Sequence, residues 1–373
     1  MNLPLVSVVV PTYNQAPYLE EAINSARNQT YPHVEIVIVN DGSTDNSAEI
    51  LKDLAAKDSR IRYFNQKNQG FAVATNKAIE ESKGEYIVHL DSDDVYEPEK
   101  IQKQLEMLQK DSTIDLVYTA IQVIDSEGNP LMQMRGSEMD HDTFFAQMLF
   151  RSIMPNPTTI MGKRVCFLNV PYREKYKRSV DYDRVLRLAE KYRFKYLDLP
   201  LTRWRRHERN LTNELEKYKA EQLDILKGYK VDDLMGYVDK AKLNVDEKIL
   251  LKGNILYNIE KWKDAFEKFR QLETPTGYFY AGNALMKMNR LQEAIKNYRK
   301  CLEKAPDHAA CWNNLGVALG GENEAKNCFK KAIEIRPCYL DPEYNLAHDD
   351  RRLTDRELRR ELIPYKIEAK PTI

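Results

Sequence analysis

A doubly wound α/β domain followed by an all-α helical repeat module is the fold class this sequence predicts. Three observations carry the prediction. Short β-rich runs alternate with amphipathic helical segments as far as residue 125, acidic and turn-forming residues fall immediately after several of those runs, and two later stretches superpose on one another.

The β-rich runs are VSVVV (6–10), VEIVIV (34–39), IRYF (61–64), EYIVHL (85–90) and LVYTAIQVI (116–124). They are short, rich in β-branched residues and near-continuously apolar, as expected of strands buried on both faces of a largely parallel sheet. Between them, APYLEEAINSARNQ and NSAEILKDLAAK repeat apolar residues at three and four positions, the pattern of crossover helices. In such sheets ligands bind beyond the carboxyl ends of the strands. PTYN follows the first run, DGSTD the second and DSDD the fourth, so polar residues stand where a ligand would sit. From residue 130 to 212 the pattern is less regular, with a Pro-rich MPNPTT loop, a helix around SVDYDRVLRLAEKY and the basic run LTRWRRHERNLT; this reads as the acceptor half of the same domain. Residues 213–245 read as a charged helical connector. Beyond them, Gly282 aligns with Gly316, Ala294 with Ala325, Tyr298 with Phe329 and Pro306 with Pro337. A degenerate preceding copy runs through Gly253, Ala265 and Phe269, and Tyr344–Ala347 reads as a capping helix.

Composition narrows the function classes. A chain of 373 residues with 42% hydrophobic content suffices for two cores. Lys+Arg and Asp+Glu both total 57, so net charge offers no reason to propose a nucleic-acid partner. The five cysteines, Cys166, Cys301, Cys311, Cys328 and Cys338, include no CxxC pair and read as buried thiols of a reducing compartment. The opening apolar run lacks a basic leader, and no later run approaches about 18 apolar residues. The expectation is a cytoplasmic protein, compatible with peripheral attachment to a membrane.

Clustered carboxylates at a strand end repel one another unless a cation or donors compensate, so DSDD (Asp91, Ser92, Asp93, Asp94) argues for a divalent cation bridging to a diphosphate. Within it, Asp94 reads as the cap of the helix beginning near Glu97. Asp41 and Gly42 stand where a base could be read, a carboxylate accepting from a ring N–H and a glycine turning tightly beneath a flat ring. Ser43–Asp45 read as helix caps.

VSVVVPTYN, VIVNDGSTD, NQGFAVATNKAIEESKGEYIVHLDSDD and VDYDRVLRLAEKY, taken in order over residues 4–212, resemble the motifs of family 2 glycosyltransferases with the GT-A fold. The resemblance implies that Asp41 contacts the nucleotide base, usually uracil, beside Pro11, Thr12, Tyr13 and Asn14 of the PTYN segment. It implies that Asp91 holds the ribose or assists the metal, with Ser92 in the same donor-binding turn, and that Asp93 ligates Mn2+ or Mg2+. Gly70 and Asn76 fall in the NxG…N segment that shapes the donor site; Thr75 stands where the family commonly has Arg. Asp181 matches the acidic general base, preferred over Asp183, which reads as a salt-bridge partner of Arg184 or Arg187. WRRH resembles the aromatic-Arg-x-His sequence, in which His207 completes the metal shell and an Arg neutralises the leaving diphosphate. The later repeats resemble tetratricopeptide repeats, a module suited to a protein partner or a homodimer. The domain boundaries follow as 1–225 catalytic, 226–349 repeats and 350–373 tail.

The function implied is inverting, metal-dependent transfer from a UDP-sugar to a polysaccharide, glycolipid or protein acceptor. A catalytically inactive repeat scaffold is the alternative from another class, weakened by the joint presence of Asp41, Asp91, Asp93 and Asp181. A nucleotidyltransferase would call for a glycine-rich basic loop after the first strand, and PTYNQ has neither Gly nor Lys.

Overall fold

The computed structural model describes residues 3–154, 156–207, 215–337, 339–348, 353 and 367–369. The chain forms two compact units, the first Met1–Met148, Ser152–Ile225 and Pro364–Ile373, the second Leu149–Arg151 and Leu226–Ile363.

In the first unit the elements run β1 (Val6–Thr12), α1 (Ala16–Arg27), β2 (Val34–Asn40), α2 (Ser47–Lys57), β3 (Ile61–Asn65), α3 (Phe71–Glu81), β4 (Tyr86–His89), β5 (Val95–Tyr96), α4 (Lys100–Lys110), β6 (Leu116–Ile124), β7 (Pro130–Met134), α5 (His141–Phe150), β8 (Met161–Lys163), α6 (Arg164–Asn169), α7 (Val180–Lys191), β9 (Phe194–Arg205) and α8 (Leu215–Lys227). β1 and β2 are buried along their whole lengths. α1 turns Leu19, Ala22, Ile23 and Ala26 into a core shared with Val8, Val10, Ile36 and Ile38. This is the three-and-four spacing of its sequence acting as a buried stripe.

The sheet is mixed rather than largely parallel. β4, β1, β2 and β3 are parallel neighbours, but β8 lies between β4 and β6 and is antiparallel to both. β6 then pairs in parallel with β9, a twelve-residue strand. The irregular stretch after residue 130 therefore supplies β8 and β9. Pro200 breaks the apolar alternation of β9, and the ladder shifts register at Ala120↔Pro200, where a residue without an N–H cannot continue the pairing. The tail contributes β10 (Ile367–Ala369), antiparallel to β7.

The second unit holds α9 (Val231–Lys240), α10 (Val245–Asn258), α11 (Trp262–Phe269), α12 (Pro275–Lys287), α13 (Leu291–Lys304), α14 (Ala309–Leu319), α15 (Glu322–Ile335) and α16 (Leu340–Ala347). The aligned glycines have one physical cause. A Cβ on Gly253, Gly282 or Gly316 would lie 2.4, 2.4 or 2.6 Å from a ring carbon of Phe269, Tyr298 or Phe329 respectively, so each helix pair closes a bare backbone onto an aromatic face. Asn283, Asn313, Asn314 and Asn345 form a buried amide ladder through the later pairs. Tyr280 is fully buried, consistent with a core role for the repeat aromatics. Among the described residues the free cysteines are all buried, and no helix is long and apolar enough to cross a membrane; Cys338 lies outside the described residues.

Candidate active site

The ends of β1 and β2 meet at Asp41, whose N–H donates to Thr12 O at 2.9 Å. Asp41 is 3% exposed, and its carboxylate gathers the loop after β3: Oδ1 accepts from Gln66 Nε2 (2.8 Å) and Gln69 N (2.9 Å), and Oδ2 from Gly70 N (2.8 Å). Three of roughly four lone-pair positions are thus engaged, and one on Oδ2 remains. Gly42 has φ +74°, and a Cβ there would lie 2.7 Å from Asn68 N, so only glycine fits this turn. Gly70, at φ +95°, has no protein atom nearer than Lys177 Nζ, 3.9 Å from where its Cβ would be. Thr12 is buried, with Oγ1 lacking a hydrogen-bond partner among the described residues, whereas Tyr13 is exposed. Asn14 adopts a left-handed backbone; its N–H donates to Ser43 Oγ and its Oδ1 accepts from Thr44 N. Of the expected helix caps, Asp45 accepts from both Ala16 N and Ser47 N.

β4 ends in His89, and the DSDD turn follows, closed by Asp94 N donating to Asp91 O at 3.0 Å. His89 Nε2 lies 2.8 Å from Asp91 Oδ1. Asp94 does not cap α4, which begins only at Lys100. It is buried, and its Oδ1 accepts from Arg205 N, because β9 passes directly beside the turn. Burial, then the charges of Asp93 and Asp91, push the Asp94 carboxyl well above the ordinary carboxylate range. Arg205 is also buried. It donates to Asp93 O, Ser126 O and Glu21 Oε2 and lies over the Tyr18 ring. Of the two arginines in WRRH it is therefore the brace of the acidic turn rather than a group directed at a diphosphate. Arg206 and His207 instead line a cavity of about 700 Å3 with Asn14, Gln15, Pro17, Tyr18, Asp125 and Ser126. His207 Nε2 lies 2.9 Å from Asp93 Oδ2, and its ring stacks on Tyr18. No group of three His, Cys, Asp or Glu side chains converges as a metal cage among the described residues. Asp93 and His207 meet; Asp91 leans towards His89.

Asp181 is the second residue of α7. Its Oδ1 is buried without a hydrogen-bond partner. Desolvation, then the charge of Asp91, raise its pKa to about 6, against the opposing effects of His89, the Tyr172 hydroxyl and Arg184. Asp183, two residues on, is in a different situation: its oxygens accept from Arg173 and Arg187 at 2.7–3.2 Å. That is a closed ion-pair arrangement that anchors the helix. Asn76 spends both ends of its amide on the backbone of Tyr172, Oδ1 accepting from Tyr172 N (2.8 Å) and Nδ2 donating to Tyr172 O (2.9 Å). Its connection to the site therefore runs through Tyr172, which neighbours Asp181.

The family model described as glycosyl transferase family 2 matches residues 7–174, and a tetratricopeptide repeat model matches residues 275–308. An uncharacterized glycosyltransferase of Methanocaldococcus jannaschii is 33% identical over 227 residues, spanning 60% of this chain and 77% of the relative. The chain belongs to glycosyltransferase family 2. Chondroitin synthase of Pasteurella multocida (strain Pm70) is 35% identical over 197 residues, 53% of this chain but only 20% of the synthase. Chondroitin synthase of Escherichia coli is 34% identical over 197 residues, with 28% of its length covered. This family 2 chain thus matches between a fifth and somewhat over a quarter of those synthases. Among solved structures, S. aureus TarS 1-349 in complex with UDP-GlcNAc shares the fold at a TM-score of 0.51 and 16% identity, with 88% of each chain covered.

Several residues of this family 2 site escape sequence reading. Arg205, Glu21 and Tyr18 brace the acidic turn, and Tyr172 borders Asp181. Glu21 and Tyr18 lie on a helix whose apolar stripe explains its pattern fully, so nothing in the spacing marks them. The Arg-Arg pair was visible, but which arginine the strand would turn inward depends on the register of β9.

Proposed function

We propose that the protein is an inverting, metal-dependent glycosyltransferase that moves a sugar from a UDP-sugar to a hydroxyl of a polysaccharide, glycolipid or protein acceptor. In this reading residues 1–225 form the catalytic domain, 226–349 the repeat module and 350–373 a tail. The observation that carries it is Asp181: a carboxylate with one buried, unpartnered oxygen and a pKa near 6, next to the acidic turn at the carboxyl end of β4. Asp183 is closed by two arginines, whereas Asp181 has only the Tyr172 hydroxyl beside it and keeps Oδ1 without a partner, so it is poised to take a proton.

The chemistry follows. The acceptor hydroxyl gives its proton to Asp181 as its oxygen attacks the anomeric carbon from the face opposite the diphosphate. The new C–O bond forms as the bond from that carbon to the diphosphate oxygen breaks, and UDP departs with the electron pair. One displacement inverts the anomeric centre. Asp41 retains one acceptor position for the N3–H of uracil, Thr12 offers its unpartnered hydroxyl nearby, and Gly70 leaves the backbone open to approach.

The residues also fit a divalent cation. Asp93 Oδ2 and His207 Nε2 converge to 2.9 Å at the edge of the acidic turn, a carboxylate oxygen and an imidazole nitrogen that could each serve as a metal ligand. Such an ion typically takes one or two protein ligands and completes its shell with phosphate oxygens and water, which suits a site with two converging donors instead of a cage. Asp93 and His207 would hold it, with Asp91 assisting. Bound there, it would neutralise charge on the departing diphosphate. Asp93→Ala is expected to abolish metal-dependent UDP binding measured by calorimetry, and full binding and turnover by that variant in excess EDTA would overturn the metal assignment.

A further inference from the structure

α7 begins without a cap of its own. Ser179, the residue before it, makes no side-chain bond to the helix start; its hydroxyl donates instead to Tyr218 O at 2.8 Å. The backbone donors of the turn leading into α7 are met from α8. Glu221 Oε1 accepts from Lys177 N at 3.0 Å, and Oε2 accepts from Arg178 N at 2.8 Å and Ser179 N at 2.7 Å. One turn further along α8, Asp224 Oδ2 accepts from the Tyr176 hydroxyl at 2.9 Å and pairs with Lys175 at 2.5 Å. The loop from Tyr172 to Ser179 is therefore tied at its start by the Asn76 amide and at its end by α8. Two residues past the second tie stands Asp181.

We infer that Glu221 is a positioning residue for transfer: from a separate helix its carboxylate binds three successive N–H groups of the turn leading into α7 and so fixes the turn that presents Asp181. The inference rests on the reading of Asp181 as general base. Of the three N–H groups Glu221 binds, that of Ser179 borders the helix start, where a carboxylate complements the helix dipole; burial raises the Glu221 pKa, but the backbone bonds from Ser179, Lys177 and Arg178 outweigh that and hold it below the ordinary glutamate range. Asp183, bound to Arg173 and Arg187, anchors the next turn independently. Loss of Glu221 should thus loosen residues 177–181 while the body of α7 stays docked. The donor residues Asp41, Asp91 and Asp93 lie on other elements, so donor affinity should hold.

The test uses the full chain, with UDP release followed on whichever of UDP-glucose, UDP-galactose, UDP-GlcNAc and UDP-glucuronate turns over fastest. A displacement of the base by a fraction of an ångström to one ångström is expected to lower kcat by about 10–100-fold in Glu221→Ala, with donor KM within about twofold of wild type. Glu221→Gln, which keeps an acceptor oxygen, should restore most of the loss. Hydrogen exchange, which needs no substrate, should show the amides of residues 177–179 losing protection in Glu221→Ala with β1, β2 and β4 unchanged. Combined with Asp181→Asn, Glu221→Ala should lower kcat no further, because both act through one group. If Asp181→Asn is inactive while Glu221→Ala has wild-type kcat and unchanged exchange, the positioning role is refuted alone. If Asp181→Asn is fully active, the base assignment falls first. A parallel fall of kcat and donor affinity with protection lost throughout the first unit would show a general structural role instead.

Discussion

Replacing Asp181 by asparagine has two consequences of opposite sign. The carboxyl is raised from 3.8 to about 6 in the folded protein, chiefly by desolvation and secondly by the charge of Asp91. A raised carboxyl is one whose ionised form opposes folding. Below pH 3.8 both folded and unfolded states carry the proton and the cost is absent; it grows as pH rises from 3.8 to 6 and is complete above 6. About two pK units at 1.36 kcal/mol each give an upper figure of about 3 kcal/mol. Asp181→Asn removes the charge in nearly the same volume, so it should stabilise the first unit by up to about 3 kcal/mol at pH 8 and by almost nothing at pH 4. At about 2–4 °C per kcal/mol for a unit of this size, the melting temperature should rise by up to roughly 6–12 °C at pH 8. The same variant should lose transfer by about 10²–10⁴-fold, the range for removing a general base. Differential scanning calorimetry of both proteins at pH 4 and pH 8, in EDTA and without donor, measures the first effect, and UDP release the second. A melting shift equal at the two pH values, or an active variant, would refute the idea that burial has tuned this carboxylate for proton transfer.

Further outcomes follow from individual geometries. Activity of the wild type should rise with pH through about 6 as Asp181 loses its proton, read as the acidic limb of kcat; a limb absent between pH 5 and 7 contradicts the assignment. UDP should bind more tightly than CDP, and Asp41→Asn should weaken UDP by about 1–3 kcal/mol, by calorimetry; equal affinity of wild type for UDP and CDP counts against base reading by Asp41. Gly282→Ala would place a methyl within 2.4 Å of the Tyr298 ring and should destabilise the repeat module by about 1–3 kcal/mol with the melting of the first unit unchanged. A chain ending near residue 225 should retain UDP-sugar hydrolysis while changing its size by light scattering or losing transfer to its natural acceptor; the same size and full transfer would leave the repeats a stabilising appendage.

The parallel half of the sheet was legible because β1, β2 and β4 are buried on both faces, and continuous Val/Ile runs have few other folded fates. The repeats were legible because a glycine facing an aromatic ring recurs in register along the chain. The antiparallel half was not: β8 is three residues long, and β9 carries Pro200 and alternating charge that conceal its pairing with β6. In the site, residue types revealed the acidic turn but not the division of labour within it. Asp94 looked like a cap and is instead the buried partner of Arg205 N, since that bond depends on a strand 111 residues away. Asp181 and Asp183 lie two residues apart; the four-residue spacing to Arg187 marked Asp183 as an ion-pair partner, whereas its second partner Arg173 and the burial of Asp181 Oδ1 depend on tertiary structure.

The central claim is transfer from a UDP-sugar, and release of UDP tests it most directly. The full chain should be incubated with UDP-glucose, UDP-galactose, UDP-GlcNAc and UDP-glucuronate, each with Mn2+, with Mg2+ and with EDTA. At least one sugar nucleotide should yield UDP with a metal present, none should in EDTA, and Asp181→Asn should bind that donor yet release about 10²–10⁴-fold less. Undiminished release in EDTA, or release by Asp181→Asn at the wild-type rate, would contradict the account.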